Sequence, residues 1–364
     1  MNTSSVRLTT FDILVAQLEA AVGESLHDMV KTLLGRVPFA ADYKAPENLV
    51  LDTAALMQAR APNQSGYWAL DLQMMVDKWE TLIDGIKGMV SFLEAEGIFD
   101  NQRLPTDAVL AVIAALWNEL PQNPDALGNA KIILRKYLWR SFCTDRYEQS
   151  AATAAFNDFR GLRAILQDQQ NEEGVPIFND SLHPLASVEQ LIGAGWPKNR
   201  IILSRGILGL TTKSGARDIA DDADATREHV RQREYHHLFP ASLLRSAELP
   251  DGEIFRALNC ALITWRTNRK ISNKEPLAYL KDRAEANMLG EDDLQRRLRS
   301  HLIPMEPLKV GGYDALDEET RKQKIRSDYY TFLNERAGVI KKAIDTMSSG
   351  REVDPWSLLE NPVS

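Results

Sequence analysis

Two adjacent imidazoles, His236 and His237, lie just ahead of a proline in the run Tyr235-His236-His237-Leu238-Phe239-Pro240, and two carboxamides, Asn259 and Asn268, follow downstream. Only six histidines occur in 364 residues, so an adjacent pair is distinctive. A neutral imidazole takes a proton from water near pH 7, and a second imidazole with an amide oxygen holds a divalent cation whose other positions stay open. These are the needs of phosphodiester hydrolysis: a base for water, a cation against the charge growing on phosphate, and help for the leaving oxygen. One histidine of the pair then ligates while its neighbour acts as base, and a downstream asparagine closes the metal site.

Such groups must be brought together by their elements. Tyr235 to Phe239 is β-prone and Pro240 stops it, Cys260 to Trp265 is a second β-prone run, and Asn268 to Leu280 starts a helix that Pro276 interrupts or shortens. Neighbours on a regular strand face opposite ways, so His236 and His237 share a site only where the strand ends or bulges, as Pro240 favours. Asn268 also suits a helix cap, and Asn273 offers an alternative amide. From Arg227 to Arg283 eleven Lys and Arg stand against seven Asp and Glu, a basic island in a chain of net charge -8. Within it Arg266, Arg269, Lys270 and Lys274 are candidate phosphate contacts, with solvated charges at a helix start as an equally simple explanation.

His-His-x-x-Pro followed by Asn259 and Asn268 resembles the HNH, or His-Me finger, ββα-metal nucleases. Carried over by position, the resemblance implies that His236 ligates metal, His237 is the general base, Asn259 braces the base-bearing loop and Asn268 is the second ligand. The words Glu234-Tyr-His-His-Leu-Phe-Pro240 and Asn268-Arg-Lys-Ile-Ser-Asn-Lys-Glu-Pro276 are similar to the C-terminal domain of the GmrSD-type modification-dependent restriction and phage-defence nucleases. The opening Asn2-Thr-Ser-Ser-Val-Arg-Leu-Thr-Thr-Phe-Asp12 and the Trp-rich helices to about Leu166 look like the helical middle of that family. An Asp-Gly-Gln-Gln-Arg motif, which marks that family's N-terminal ParB-like domain, does not occur here. The resemblance therefore implies a DNA endonuclease or nickase acting on modified or phage DNA, with a sensor or NTPase domain supplied elsewhere. Mg²⁺ or Mn²⁺ is the expected metal, and an imidazole ligand also accepts Ni²⁺ or Zn²⁺. A non-catalytic DNA- or partner-binding module is the alternative reading.

The remainder reads as helical scaffold. Thr9 and Asp12 form a capping box ahead of Phe11, Leu14, Val15 and Leu18, and a second run spans Leu26 to Leu34. Residues Val37 to Gly66 read as a loop with short helical pieces. Leu70 to Glu96 is the clearest amphipathic helix, stopped by Gly97, and Thr106 to Leu120, Ala126 to Phe142 and Ala151 to Leu166 follow. Trp79, Trp117, Tyr137 and Trp139 sit at helical spacing and read as core. Short helices are expected at Ser187 to Ala194 and Ile201 to Leu208, helices at Leu277 to Met288 and Glu291 to Leu302, and one long helix or a pair from Asp317 to Met347. Asp218, Asp221, Asp222 and Asp224 lack the Gly and terminal Glu of a calcium loop and read as a solvated acidic turn. Arg296, Arg297 and Arg299 read as an exposed face with matched acids, and His27, His183, His229 and His301 as isolated structural or exposed residues.

The expected fold class is mainly α with a small α+β element: a helical domain (1–167), a linker with short helices (168–200), a ββα-metal nuclease domain (201–285) and a C-terminal helical extension (286–364). Cys143 and Cys260, far apart and in apolar contexts, suit buried thiols. No phosphate-cradling glycine loop occurs, so no cofactor-binding residues are expected beyond the metal ligands. The absence of a long uncharged apolar run and of a leader pattern points to a cytoplasmic location with no membrane partner.

Overall fold

Helix starts and stops follow the caps written in the sequence. Thr9 Oγ1 accepts from the Asp12 N–H at 3.2 Å and the Asp12 carboxylate accepts from the Thr9 N–H at 2.8 Å, opening α1 (Thr10–Val22). Gly23, at φ 77, closes it in the left-handed conformation that glycine adopts without strain. The computed structural model describes residues 9–264, 267, 274–286 and 290–360. They are mainly helical, with one small antiparallel strand pair. They fall into two units: one runs to Leu93 and adds Thr106–Ser141 and Asp145–Pro184, and the other takes Glu94–Pro105, Phe142–Thr144 and the residues from Leu185 onward.

The first unit contains α1, α2 (Leu26–Arg36), α3 (Pro46–Met57), α4 (Gln64–Trp68), α5 (Leu72–Asp77), α6 (Trp79–Ala95), α7 (Ala108–Trp117), α8 (Pro124–Cys143) and α9 (Ala151–Leu166). Its centre is α7, where every residue from Val109 to Leu116 is buried, and α3 and α9 pack against it. A helix apolar on all sides belongs in the middle of such a bundle. Trp79, Tyr137 and Trp139 are likewise buried in the core.

Two corrections belong here. The stretch Val37 to Gly66 is no loop: Pro46 at the first helical position starts α3, and Leu49 through Leu56 are all buried. Asp52, inside that buried run, is held by Lys44 at 2.7 Å and by the Tyr67 hydroxyl, so a helix buried all round shows no amphipathic period. The expected single helix Leu70 to Glu96 is two, α5 and α6, parted at Lys78, and Gly97 at φ 76 ends the run.

The second unit contains α10 (Val188–Gly193), α11 (Ile202–Lys213), α12 (Arg227–Arg231), β1 (Arg233–His237), α13 (Ala241–Ser246), α14 (Asp251–Ile254), β2 (Cys260–Thr264), α15 (Pro276–Ala286), α16 (Gly290–Ser300), α17 (Glu318–Ser348) and α18 (Pro355–Glu360). β1 and β2 are antiparallel, with Arg233 opposite Thr264, His236 opposite Ala261 and His237 opposite Cys260. β2 is buried from Cys260 to Ile263, so both its faces are covered and it shows no alternation. Pro276 opens α15, where its missing N–H costs nothing, so it does not interrupt a helix. Asp317 caps α17, accepting from the Thr320 N–H at 3.1 Å, and the expected long helix is a single element. Its buried stripe includes Ile325, Tyr329, Phe332, Leu333, Ala337, Ile340 and Ile344.

The acidic turn is also corrected. Asp218 is fully buried and accepts from the Thr264 N–H at 2.7 Å, the Thr267 hydroxyl at 2.5 Å and the Ala220 N–H at 2.9 Å. Burial opposes its charge, but these donors hold its carboxyl below the usual range. Asp222 pairs with Arg217 at 2.7 Å and Arg296 at 2.8 Å, so only part of this turn faces solvent. Arg297 is buried against Asp293 at 2.5 Å, although Arg296 and Arg297 do carry the matched acids expected of them.

Candidate active site

The strand bearing the histidine pair ends at His237. His236 is buried, and His237, on the opposite face, is half-buried beside Tyr235. The Trp196 indole lies over this second face, 4.2 Å from the His237 ring centroid with 18° between the planes and 6.4 Å from Tyr235. Phe255 meets His237 edge-on at 4.8 Å and Trp196 at 5.5 Å. His237 therefore sits in a corner formed by two touching aromatic rings.

Those walls are tied to each other. Gly195 and Arg256 form an isolated antiparallel bridge, the Ala257 N–H donates to the Ala194 carbonyl at 2.9 Å, and the Arg256 guanidinium donates to the Gly193 carbonyl at 2.5 Å. Trp196 and Phe255 are the residues flanking this bridge. Burial first, then the neighbouring His236 and Arg245, push the His237 imidazole down to about 4, so it is neutral in the physiological range. Its Nε2 is shut off from solvent and has no hydrogen-bond partner among the described residues.

The turn after His237 is fixed by three elements. Asn259, fully buried, accepts from the Phe239 N–H at 2.8 Å and donates to the carbonyls of Phe239 at 3.1 Å and Ile254 at 3.2 Å. The Leu238 N–H donates to the Asn259 carbonyl at 2.9 Å, and the Tyr279 hydroxyl of α15 donates to the Leu238 carbonyl at 3.0 Å. Arg336 of α17 donates to the carbonyls of Leu258 at 2.5 Å, Cys260 at 2.9 Å and His301 at 3.1 Å, gripping the chain on both sides of Asn259. At the other end of β1 the buried Arg233 donates to the carbonyls of Ala216 and, at 2.7 Å, Ala223. Burial lowers both arginines, Arg336 to about 10, and the fork of donors on Arg336 satisfies carbonyls that the fold would otherwise bury bare, while Arg233 adds a second donor to Ala223, whose carbonyl also accepts from the Asp218 N–H.

Of the residues singled out from sequence, the structure thus places His236, His237 and Asn259 at one end of the strand pair. Asn268, Arg266, Arg269 and Lys270 lie outside the described residues, as does Asn273. Lys274 pairs with Asp282 of α15. Cys143 and Cys260 are buried free thiols, and burial pushes Cys260 up to about 12, too high for a thiolate nucleophile. His301 is buried with Nε2 2.7 Å from the Arg217 carbonyl, and His183 is not isolated: its Nδ1 lies 2.6 Å from Asp145.

Sequence reasoning passed over Trp196, Phe255, Tyr279 and Arg336, and placed Asp218 in solvent. Two signals were there to find. Trp196 precedes Pro197, which holds it extended, and Arg336 falls on the apolar stripe of α17 between Leu333 and Ile340, where an unpaired arginine would be costly.

The described residues contain no group of three His, Cys, Asp or Glu suited to a metal, whereas the expected site uses two protein ligands, one of them outside the described residues. The feature that fits a bound polar group is the buried, partnerless Nε2 of His237. No helix among the described residues is long and apolar enough to cross a membrane.

No family model matches the chain. An uncharacterized protein of Methanocaldococcus jannaschii is 22% identical over 373 residues, covering 94% of this chain. The chain spans 60% of that relative's length.

Proposed function

We propose that this protein is a metal-dependent DNA endonuclease or nickase of the HNH type, serving as the cytoplasmic effector of a restriction or anti-phage defence system. The observation that carries the reading is the neutral His237 imidazole at the end of β1, its Nε2 buried and partnerless among the described residues, with the next turn braced by Asn259. In this reading His237 accepts the proton of the attacking water, for which an unprotonated ring is required. Asn259 holds the backbone of Phe239 and so the direction in which His237 leaves the strand. His236 and Asn268 would hold the divalent cation, Mg²⁺ or Mn²⁺ by expectation. When bound, that ion supplies charge neutralisation at the phosphate. Arg266, Arg269, Lys270 and Lys274 are proposed phosphate contacts, and a sensor or NTPase domain, within a longer chain or as a partner, is the proposed trigger.

One observation favours a second reading, a non-catalytic DNA- or partner-binding module: His237 is packed against Trp196 and Phe255 as a core histidine would be. Incubation of supercoiled plasmid, modified and unmodified, with the purified protein and a series of divalent ions separates the two. Nicked or linear product in Mg²⁺ or Mn²⁺ supports the nuclease. A protein that retards DNA yet leaves it intact with every ion supports the binding module.

A further inference from the structure

The sequence offers its DNA-contacting charges after β2, but a second set of cations surrounds the walls of the His237 niche. No Asp or Glu occurs between Glu189 and Asp218, in a chain that carries 51 acids, and that interval holds Lys198, Arg200, Arg205, Lys213 and Arg217. Two of these flank Trp196 directly. Lys198 lies in the short 3₁₀ turn Pro197–Asn199, Arg200 caps it, and both are exposed. Arg200 sits at φ 61, a left-handed conformation that a glycine or asparagine would adopt more cheaply.

The adjoining wall carries its own pair. Arg245 of α13 has its guanidinium 5.9 Å from the Phe255 ring centroid, and Arg256 follows Phe255 in sequence and bridges to Gly195. Arg245 also acts electrostatically on His237. Asp251 lies 3.0 Å from Arg245, with both side chains more than half exposed, so a phosphate displaces it at small cost.

We infer that Lys198, Arg200, Arg245 and Arg256 form a phosphate-binding rim around the His237 niche, and that its partner is the backbone of duplex DNA. This rests on the nuclease reading for the identity of the niche, not for the existence of the rim. Lys198, Arg200 and Arg256 are carried on the bridged segments that hold Trp196 and Phe255, and Arg245 of α13 lies over Phe255, so backbone binding here brings a strand to the residues that cover His237. Backbone contacts of this kind position the duplex and carry no sequence information.

The test is the salt dependence of binding, measured by fluorescence anisotropy on a labelled duplex in EDTA. Each phosphate contact adds about 0.9 to the slope of log K against log salt. The triple variant Lys198→Gln, Arg200→Gln, Arg245→Gln should lower the slope by about 2 to 3 and weaken binding at least tenfold at low salt. Arg256 is left in place there because it holds the Gly193 carbonyl, and Lys198→Glu alone, on an exposed turn, serves as the variant least able to disturb folding. An unchanged slope in both variants overturns the rim, and so does wild-type protein that binds structured RNA but no duplex DNA. Cleavage is scored separately in Mg²⁺ and Mn²⁺: a slope that falls while wild type never cuts upholds the rim and removes the nuclease, and the reverse pattern removes the rim alone.

Discussion

The Asn259 carboxamide and the backbone of Phe239 exchange two hydrogen bonds, one accepted at 2.8 Å and one donated at 3.1 Å. A third, donated at 3.2 Å to Ile254, uses the remaining amide proton. One buried side chain thus replaces a rung of ladder just where the strand pair stops. Asn259→Ala leaves the N–H and the carbonyl of Phe239 without partners, each costing about 1 kcal/mol or more, while the Ile254 carbonyl keeps the Arg256 N–H at 3.1 Å. Chemical denaturation should show a loss of roughly 2 to 4 kcal/mol with an unchanged denaturant slope. A loss below about 1 kcal/mol would mean that the turn is held by other means.

Arg336 serves three carbonyls from a fully buried position. Replacing a buried charge with an apolar side chain is often harmless when its partner goes too, but here the carbonyls of Leu258, Cys260 and His301 remain. Arg336→Met should therefore cost about 3 kcal/mol or more, and Arg336→Lys should not restore it, because a single ammonium lacks the planar fork. Full stability of the lysine variant in the same denaturation experiment would contradict this.

His237 and His301 ionise far lower in the folded protein than the ordinary value of 6.5, at about 4 and about 3, with burial the largest cause for each. Between those values and 6.5 the unfolded chain binds more protons than the folded one. The stability tied to neutral imidazoles is complete above pH 6.5 and is lost as pH falls through the folded values. At pH 4.5 each ring should account for about 2 kcal/mol of lost stability. The pH dependence of His237→Gln should be shallower than wild type by about that amount, and parallel curves would refute the assignment.

Trp196 covers His237 at 4.2 Å. Trp196→Ala removes most of what buries that ring, so its ionisation should rise toward 6.5 and its modification by diethyl pyrocarbonate should quicken. Proton NMR of the His237 ring reads the shift. A ring that still fails to titrate above pH 5 would show that Trp196 is not what dries it.

Most helices could be read from the chain because their ends carry local signals, such as the Thr9 and Asp12 box and Gly97 at φ 76. The exceptions are instructive. α3 is buried on all sides, so the 3.6-residue period that reveals amphipathic helices is missing. Asp218 reads as solvated because three nearby acids suggest exposure, yet its partners Thr264 and Thr267 lie more than forty positions away. The end of β1 at the histidine pair was legible from Pro240, whereas a bracing place for Asn259 followed only from the family resemblance. The walls around His237 were not, since Trp196 and Phe255 meet it only through the Gly195 to Arg256 bridge.

The role proposed for His237 is that of general base in DNA nicking. Its most direct test is the rate of supercoiled plasmid nicking in Mn²⁺ by wild type and by His237→Ala, with duplex affinity measured alongside in EDTA. A fall of at least a hundredfold in the rate is expected, the scale of general-base catalysis, while affinity stays within about twofold. A variant that nicks at the wild-type rate, or a wild type that binds DNA and never nicks it, would contradict the account.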